Sequence, residues 1–135
     1  MSQTPNQTTA QRAEAELTAY GLRLPETDLV PGFGVTRYMR VAGKGFAVFG
    51  DKAETDNDFT LTVKLPISAE MVEDLWFVRV RPGWYKRNNW IMACFSPGDD
   101  VLAELPTLKA WMLQSYVAVA PKRLGKLVSG TFGEA

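Results

Sequence analysis

Residues 59–65 constrain this chain more than any other stretch, because apolar and polar side chains alternate through them without a break. Phe59, Leu61, Val63 and Leu65 fall on one face of an extended segment, and Thr60, Thr62 and Lys64 on the other. A period of two marks a strand with one buried and one wet face, as in an antiparallel sheet covered on one side. A chain of 135 residues has room for one such sheet and the helices that cover it. It is long enough to bury a core without metal or disulfide staples.

The flanking sequence supplies the remaining elements. Residues 35–41 and 44–49 read as strands joined at Ala42-Gly43, and residues 77–81 and 89–95 as two more around Pro82-Gly83. Ala13, Leu17 and Tyr20 recur at helical spacing after Thr9, with Gly21 where a C-terminal cap belongs. Pro25 and residues 31–34 mark loop and turn. Ser68 is a good N-cap for a short helix over 69–76. A longer helix starts at Pro106 and ends before Pro121, with Leu105, Leu108, Met112, Ser115 and Val119 along one face. This order predicts an α+β domain, an antiparallel β-sheet with helices packed on one face. The expected boundaries are a flexible N-terminal tail at 1–10, a single domain at 11–127 and a flexible C-terminal tail at 128–135.

Composition excludes much chemistry. Histidine is absent, which removes the usual general base, the commonest metal ligand and every Ser-His or Cys-His pair. Cys94 is the single cysteine, so no intramolecular disulfide forms, and it reads as a small core residue. The pairs Gly32/Gly34 and Gly43/Gly45 lack the spacing that cradles phosphates. Asp51, Glu54, Asp56 and Asp58 lack the central glycine and closing glutamate of a calcium loop and read as a solvated loop. Ser115 lies on an apolar stripe with no base in sequence reach, so packing is its expected role. The sequence therefore predicts no enzyme, no catalytic residue, no metal and no cofactor. The polar N-terminus lacks a signal-peptide core and no apolar run nears the roughly 20 residues of a membrane span, so the expected location is cytoplasmic.

What remains is a basic and aromatic constellation. Arg40 shares a strand face with Tyr38, Arg79 and Arg81 share another, and Lys64 belongs to the polar face of its strand. The segment after Arg81 brings Trp84, Tyr85, Lys86 and Arg87 within a few residues. Cations interleaved with flat aromatics suit a phosphate backbone and exposed bases. A structural role has the stronger claim on these residues alone. Fifteen acidic and fifteen basic side chains cancel, Trp84 and Trp90 are able to close the core, and the arginines cover apolar surface and have Glu70, Glu73 or Asp74 to pair with.

The order of features also resembles a known family. Residues 38–47 (Tyr-Met-Arg-Val-Ala-Gly-Lys-Gly-Phe-Ala) come first, then Leu61-Thr62-Val63-Lys64-Leu65. Pro82-Gly83-Trp84-Tyr85-Lys86 then leads to Trp90, and Leu113-Gln114-Ser115-Tyr116 precedes Pro121-Lys122. From about residue 12 to about residue 127 this looks like the MmcQ/YjbR family. The resemblance implies a CyaY-like α+β fold and a double-wing DNA-binding label, with no catalytic residues to carry over. Lys44, Lys64, Trp90 and Ser115-Tyr116 match the family's recurrent positions.

Three functions compete on this reading. The first is a nucleic-acid-binding module, with DNA as partner, using Arg40, Lys44, Lys64, Arg79, Arg81, Trp84, Tyr85, Lys86 and Arg87. Trp90 is then a structural anchor on its strand, while residues 84–87 meet the partner. The second is a protein-interaction or regulatory module meeting its partner through the same patch. The third is a small-molecule or metal-binding protein, prompted by the resemblance to iron-binding CyaY-like folds, for which the first helix offers only Glu14 and Glu16.

Overall fold

A computed structural model describes residues 8–51 and 57–128. Its centre is a six-stranded antiparallel sheet in the order β1-β2-β3-β4-β6-β5. The strands are β1 Thr27–Pro31, β2 Arg37–Val41, β3 Lys44–Phe49, β4 Phe59–Lys64, β5 Val78–Arg79 and β6 Trp90–Phe95. The helices are α1 Thr9–Leu22, α2 Ala69–Val72, α3 Trp84–Arg87, α4 Leu105–Val119 and α5 Lys122–Val128. The expected α+β class and antiparallel sheet are what the chain adopts. No helix among the described residues is long and apolar enough to cross a membrane.

The alternation in β4 does set which residues meet the helices. Leu61 lies opposite Phe49 and Ala93, and Val63 opposite Ala47 and Ile91, all in the core beneath α4 and α1. Phe46, Phe49, Phe59, Phe77, Phe95, Trp111 and Tyr116 fill the layer between sheet and helices. Phe46 meets Tyr116 edge-on at 5.5 Å, and Phe77 stacks on Phe95 at 4.9 Å. Each such ring contributes about 1.5–3 kcal/mol on burial. The β2–β3 hairpin turns at Ala42-Gly43 as expected, with φ of 50° and 83°, the positive pair that a two-residue type I′ turn requires.

The other face corrects the expectation of a wet surface. Thr60 and Thr62 are 2% and 4% exposed, and Met92 and Cys94 beside them are also buried. Arg81, following β5, pairs with Asp51, following β3, at 3.0 Å. Since β4 and β6 lie between those two strands, this pair joins the flanks of the outer face across its middle. The Thr60 and Thr62 hydroxyls have no hydrogen-bond partner among the described residues.

Several local expectations change. Gly21 lies inside α1 rather than capping it: Arg23 takes the cap, and a Cβ on Gly21 would sit 3.0 Å from Met39 and Met112. Residues 27–31 form the edge strand β1 rather than a loop, because an edge tolerates Pro31 where a central strand would not. The helix over 69–76 shrinks to four residues, and the Ser68 hydroxyl donates to Gln114 on α4 instead of capping. Ile67, Met71 and Leu75, one turn apart, are all exposed, so that segment has no buried stripe to hold a longer helix. The strand over 77–81 is only Val78–Arg79, and α3 occupies what reads as a plain turn.

Both domain boundaries also move outward. Thr8 caps α1 in a reciprocal box with Gln11, and Ala10 is buried. At the other end α5 buries Leu124, Gly125 and Val128. Of the expected tails, residues 1–7 and 129–135 lie outside the described residues, as do residues 52–56 of the acidic loop.

Candidate nucleic-acid interface

The site is assembled at one end of the sheet. The β2–β3 turn, the last residue of β4, the first of β6 and the whole of α3 converge there. Lys64 pairs directly with Trp90, and the Leu65 N–H donates to the Asn89 carbonyl at 2.8 Å. Gly83 enters α3 with φ 81° and ψ −131°, a conformation open to glycine, and Asn89 leaves it with φ 64°. These two residues let a four-residue helix sit between two paired strands and place Trp84 against Trp90.

Register decides which side chains share the outer face. Tyr38 pairs with Val48, Val48 with Thr62, Thr62 with Met92, and Met92 with Arg79. Two residues along each strand, Arg40, Lys64, Trp90 and Arg81 therefore fall on that same face near its open end. With about 4.8 Å between strands, the row from β2 to β5 is roughly 19 Å wide. The face gathers Arg40, Lys64, Arg79 and Arg81, with Lys86 and Arg87 beside it on α3; Lys44 pairs with the core residue Val41 and so belongs to the helix-covered face.

Their charges are not equally available. Arg40 makes a bidentate pair with Asp28, at 2.9 and 2.7 Å. That hydrogen bond holds the Asp28 carboxyl below its ordinary pKa and Arg40 above its own. Arg81 pairs with Asp51 and lies over the Tyr85 ring, 5.2 Å from its centroid. Lys86 reaches back to Glu73 at 3.7 Å, whereas the arginines of the patch that pair do so with Asp28 and Asp51 rather than with the expected Glu70, Glu73 or Asp74. Lys44, Lys64 and Arg87 have no ion pair among the described residues. Arg79 donates to the Trp76 and Val78 carbonyls.

The aromatics divide too. Trp90 is half-buried, and Trp84 stacks on it with centroids 6.4 Å apart and planes 20° from parallel. Tyr85 meets Trp84 edge-on at 5.3 Å. Trp84 still leaves 54% of its surface exposed.

Elsewhere the surface offers less chemistry. A groove of about 850 Å³ along α1 is lined by Thr8, Gln11, Glu14, Thr18, Arg37 and Asp58, and of its charges Glu14 and Arg37 satisfy each other. Glu16 pairs with Lys109. Among the described residues no three potential metal ligands come together. Ser115 is buried in hydrogen bonds to backbone, as its packing role requires. The sequence reading missed an apolar groove between α4 and the segment before α2, lined by Pro66, Ile67, Ala110, Leu113 and Val117. Of the exposed apolar residues Ile67, Met71 and Leu75 only Ile67 lines it, so no local spacing in the sequence marked it. Also missed were Asp28 and Asp51 as neutralising partners, because they meet Arg40 and Arg81 only through tertiary structure.

No protein-family model matches the chain, and no curated protein matches it either.

Proposed function

We propose that this protein binds nucleic acid through the outer face at the α3 end of its sheet, as a non-catalytic member of the MmcQ/YjbR family. The observation that carries the reading is that Lys64, across the ladder from Trp90, and Arg87, on the same helix as the exposed Trp84, have no ion pair among the described residues. Cations beside a flat aromatic neutralise phosphate and receive a base in one surface. Binding rather than catalysis fits a sequence that has no histidine. A neutral molecule with local cations fits modest affinity better than tight duplex wrapping.

Charge reversal tests this. Lys64→Glu with Arg87→Glu should abolish binding of a labelled oligonucleotide at low salt while the circular dichroism spectrum stays unchanged. Binding that survives the double reversal would remove the face from consideration.

A protein-interaction or regulatory module is the second reading. The same patch offers Trp, Tyr and Arg, the usual anchors of protein interfaces. A separate observation favours it: Ile67, 85% exposed, borders the apolar groove on α4. Such a surface commonly marks a protein contact. Affinity that is insensitive to salt, with a protein partner, would select this reading.

A further inference from the structure

Resting on the nucleic-acid reading above, we infer that the ligand is single-stranded and that Trp84 is its stacking platform. One unpaired base lies on the open indole surface, with the flanking phosphates at Lys64 and Arg87.

The geometry of the two tryptophans carries the step. An exposed indole is costly to leave in water, and a core role would bury it. Trp84 is instead propped: Trp90 lies alongside it, offset, with centroids 6.4 Å apart and planes 20° from parallel, Tyr85 meets it edge-on, and the Asn88 side-chain amide donates to the Trp84 carbonyl at 2.8 Å. Arg87 follows three positions later on the same short helix, and Lys64 stands directly across the ladder from Trp90. A flat ring held by these neighbours, with one cation on α3 and another on the neighbouring strand, is preorganised for a base and its two phosphates.

The same geometry disfavours a duplex. Paired bases have both faces stacked, so an indole platform gains nothing from them. Direct reading of the major groove needs a helix or a free two-stranded ribbon, whereas α3 has four residues and the β2–β3 hairpin is embedded in the sheet. Arg40 and Arg81, which would extend the cationic row, are held by Asp28 and Asp51.

Three probes of equal length separate the possibilities: a thymidine single strand, the same backbone with abasic sites, and a blunt duplex. Binding is read by anisotropy at low salt. The expected result is single-strand affinity on the order of tenfold or more above both other probes, matching one stacked base. Trp84→Ala should erase that preference and Trp84→Phe should keep most of it. Equal affinity for the abasic strand would overturn the stacking platform while leaving nucleic-acid binding in place. Tighter binding of the duplex would overturn the single-strand assignment. If none of the probes binds, the parent reading falls and this inference with it. The abasic comparison uses the unaltered protein, so it stands even if a variant misfolds.

Discussion

The Ser115 hydroxyl on α4 accepts the backbone N–H of Lys64 at 2.9 Å. It also donates to the Phe46 carbonyl at 2.6 Å. The β3–β4 ladder ends at Ala47 and Val63, because Phe46 is an extra residue bulged out of the pairing with β2. Ser115 takes the place of the missing strand-to-strand contact. It thereby fixes the end of β4 from the helix side, while the Lys64 side chain points to the outer face. A fully buried serine thus holds a surface lysine in register.

Ser115→Ala should therefore cost about 2–4 kcal/mol, since a buried donor and a buried acceptor are both left unmet. Urea unfolding with an unchanged m-value checks it. A loss below about 0.5 kcal/mol would mean that Phe46 and Lys64 find each other without the hydroxyl.

Ala42 carries φ 50° at the first turn position of the β2–β3 hairpin. An L-residue with a Cβ pays roughly 1–2 kcal/mol there, and asparagine pays less. Ala42→Asn should raise stability by about 1 kcal/mol, seen as a higher urea midpoint, with no change in ligand binding. A destabilised variant would show that the turn is not of the primed type.

The buried threonines predict in the opposite sense from their appearance in sequence. With no partner for its hydroxyl among the described residues, Thr62 should gain from conversion to valine, by about 1 kcal/mol. Thermal unfolding measures the change. A loss of stability would reveal a partner for that hydroxyl.

Asp28 governs how much of the cationic row is free. Arg40's hydrogen bond lowers the Asp28 pKa, so the pair's contribution is present above the ordinary carboxylate range. It is lost only as pH falls through that lowered value. At neutral pH Asp28→Asn should release Arg40, tighten oligonucleotide binding several-fold and steepen the salt dependence by about 0.7 in slope. Anisotropy titrations at two salt concentrations give both numbers. Unchanged affinity would place Arg40 outside the interface.

These relationships show what the sequence made legible. The β4 alternation, the Ala42-Gly43 turn and the apolar face of α4 are local signals, and each appears in the fold where it was read. The face of β4 that meets the helices was therefore predictable. The burial of Thr60 and Thr62 was not, because it depends on residues brought together from elsewhere in the chain rather than on the local pattern. The strand β1 was hidden by Pro25 and Pro31, whose loop preference yields at a sheet edge. In the candidate interface, the residue types were visible at once. Their neutralisation was not: Asp28 is twelve residues from Arg40 and Asp51 thirty from Arg81. The position of Trp84 on Trp90 needed a helix only four residues long, below what periodicity resolves.

The most direct test of the account is the salt dependence of oligonucleotide affinity, taken by anisotropy between 50 and 200 mM salt, concentrations chosen to span the usual electrostatic range. Contacts from Lys64 and Arg87 to two phosphates predict a slope of log affinity against log salt of about −1.4 for a single strand. A slope near zero, or no binding at the lowest salt, would contradict the claim that this face is built for nucleic acid.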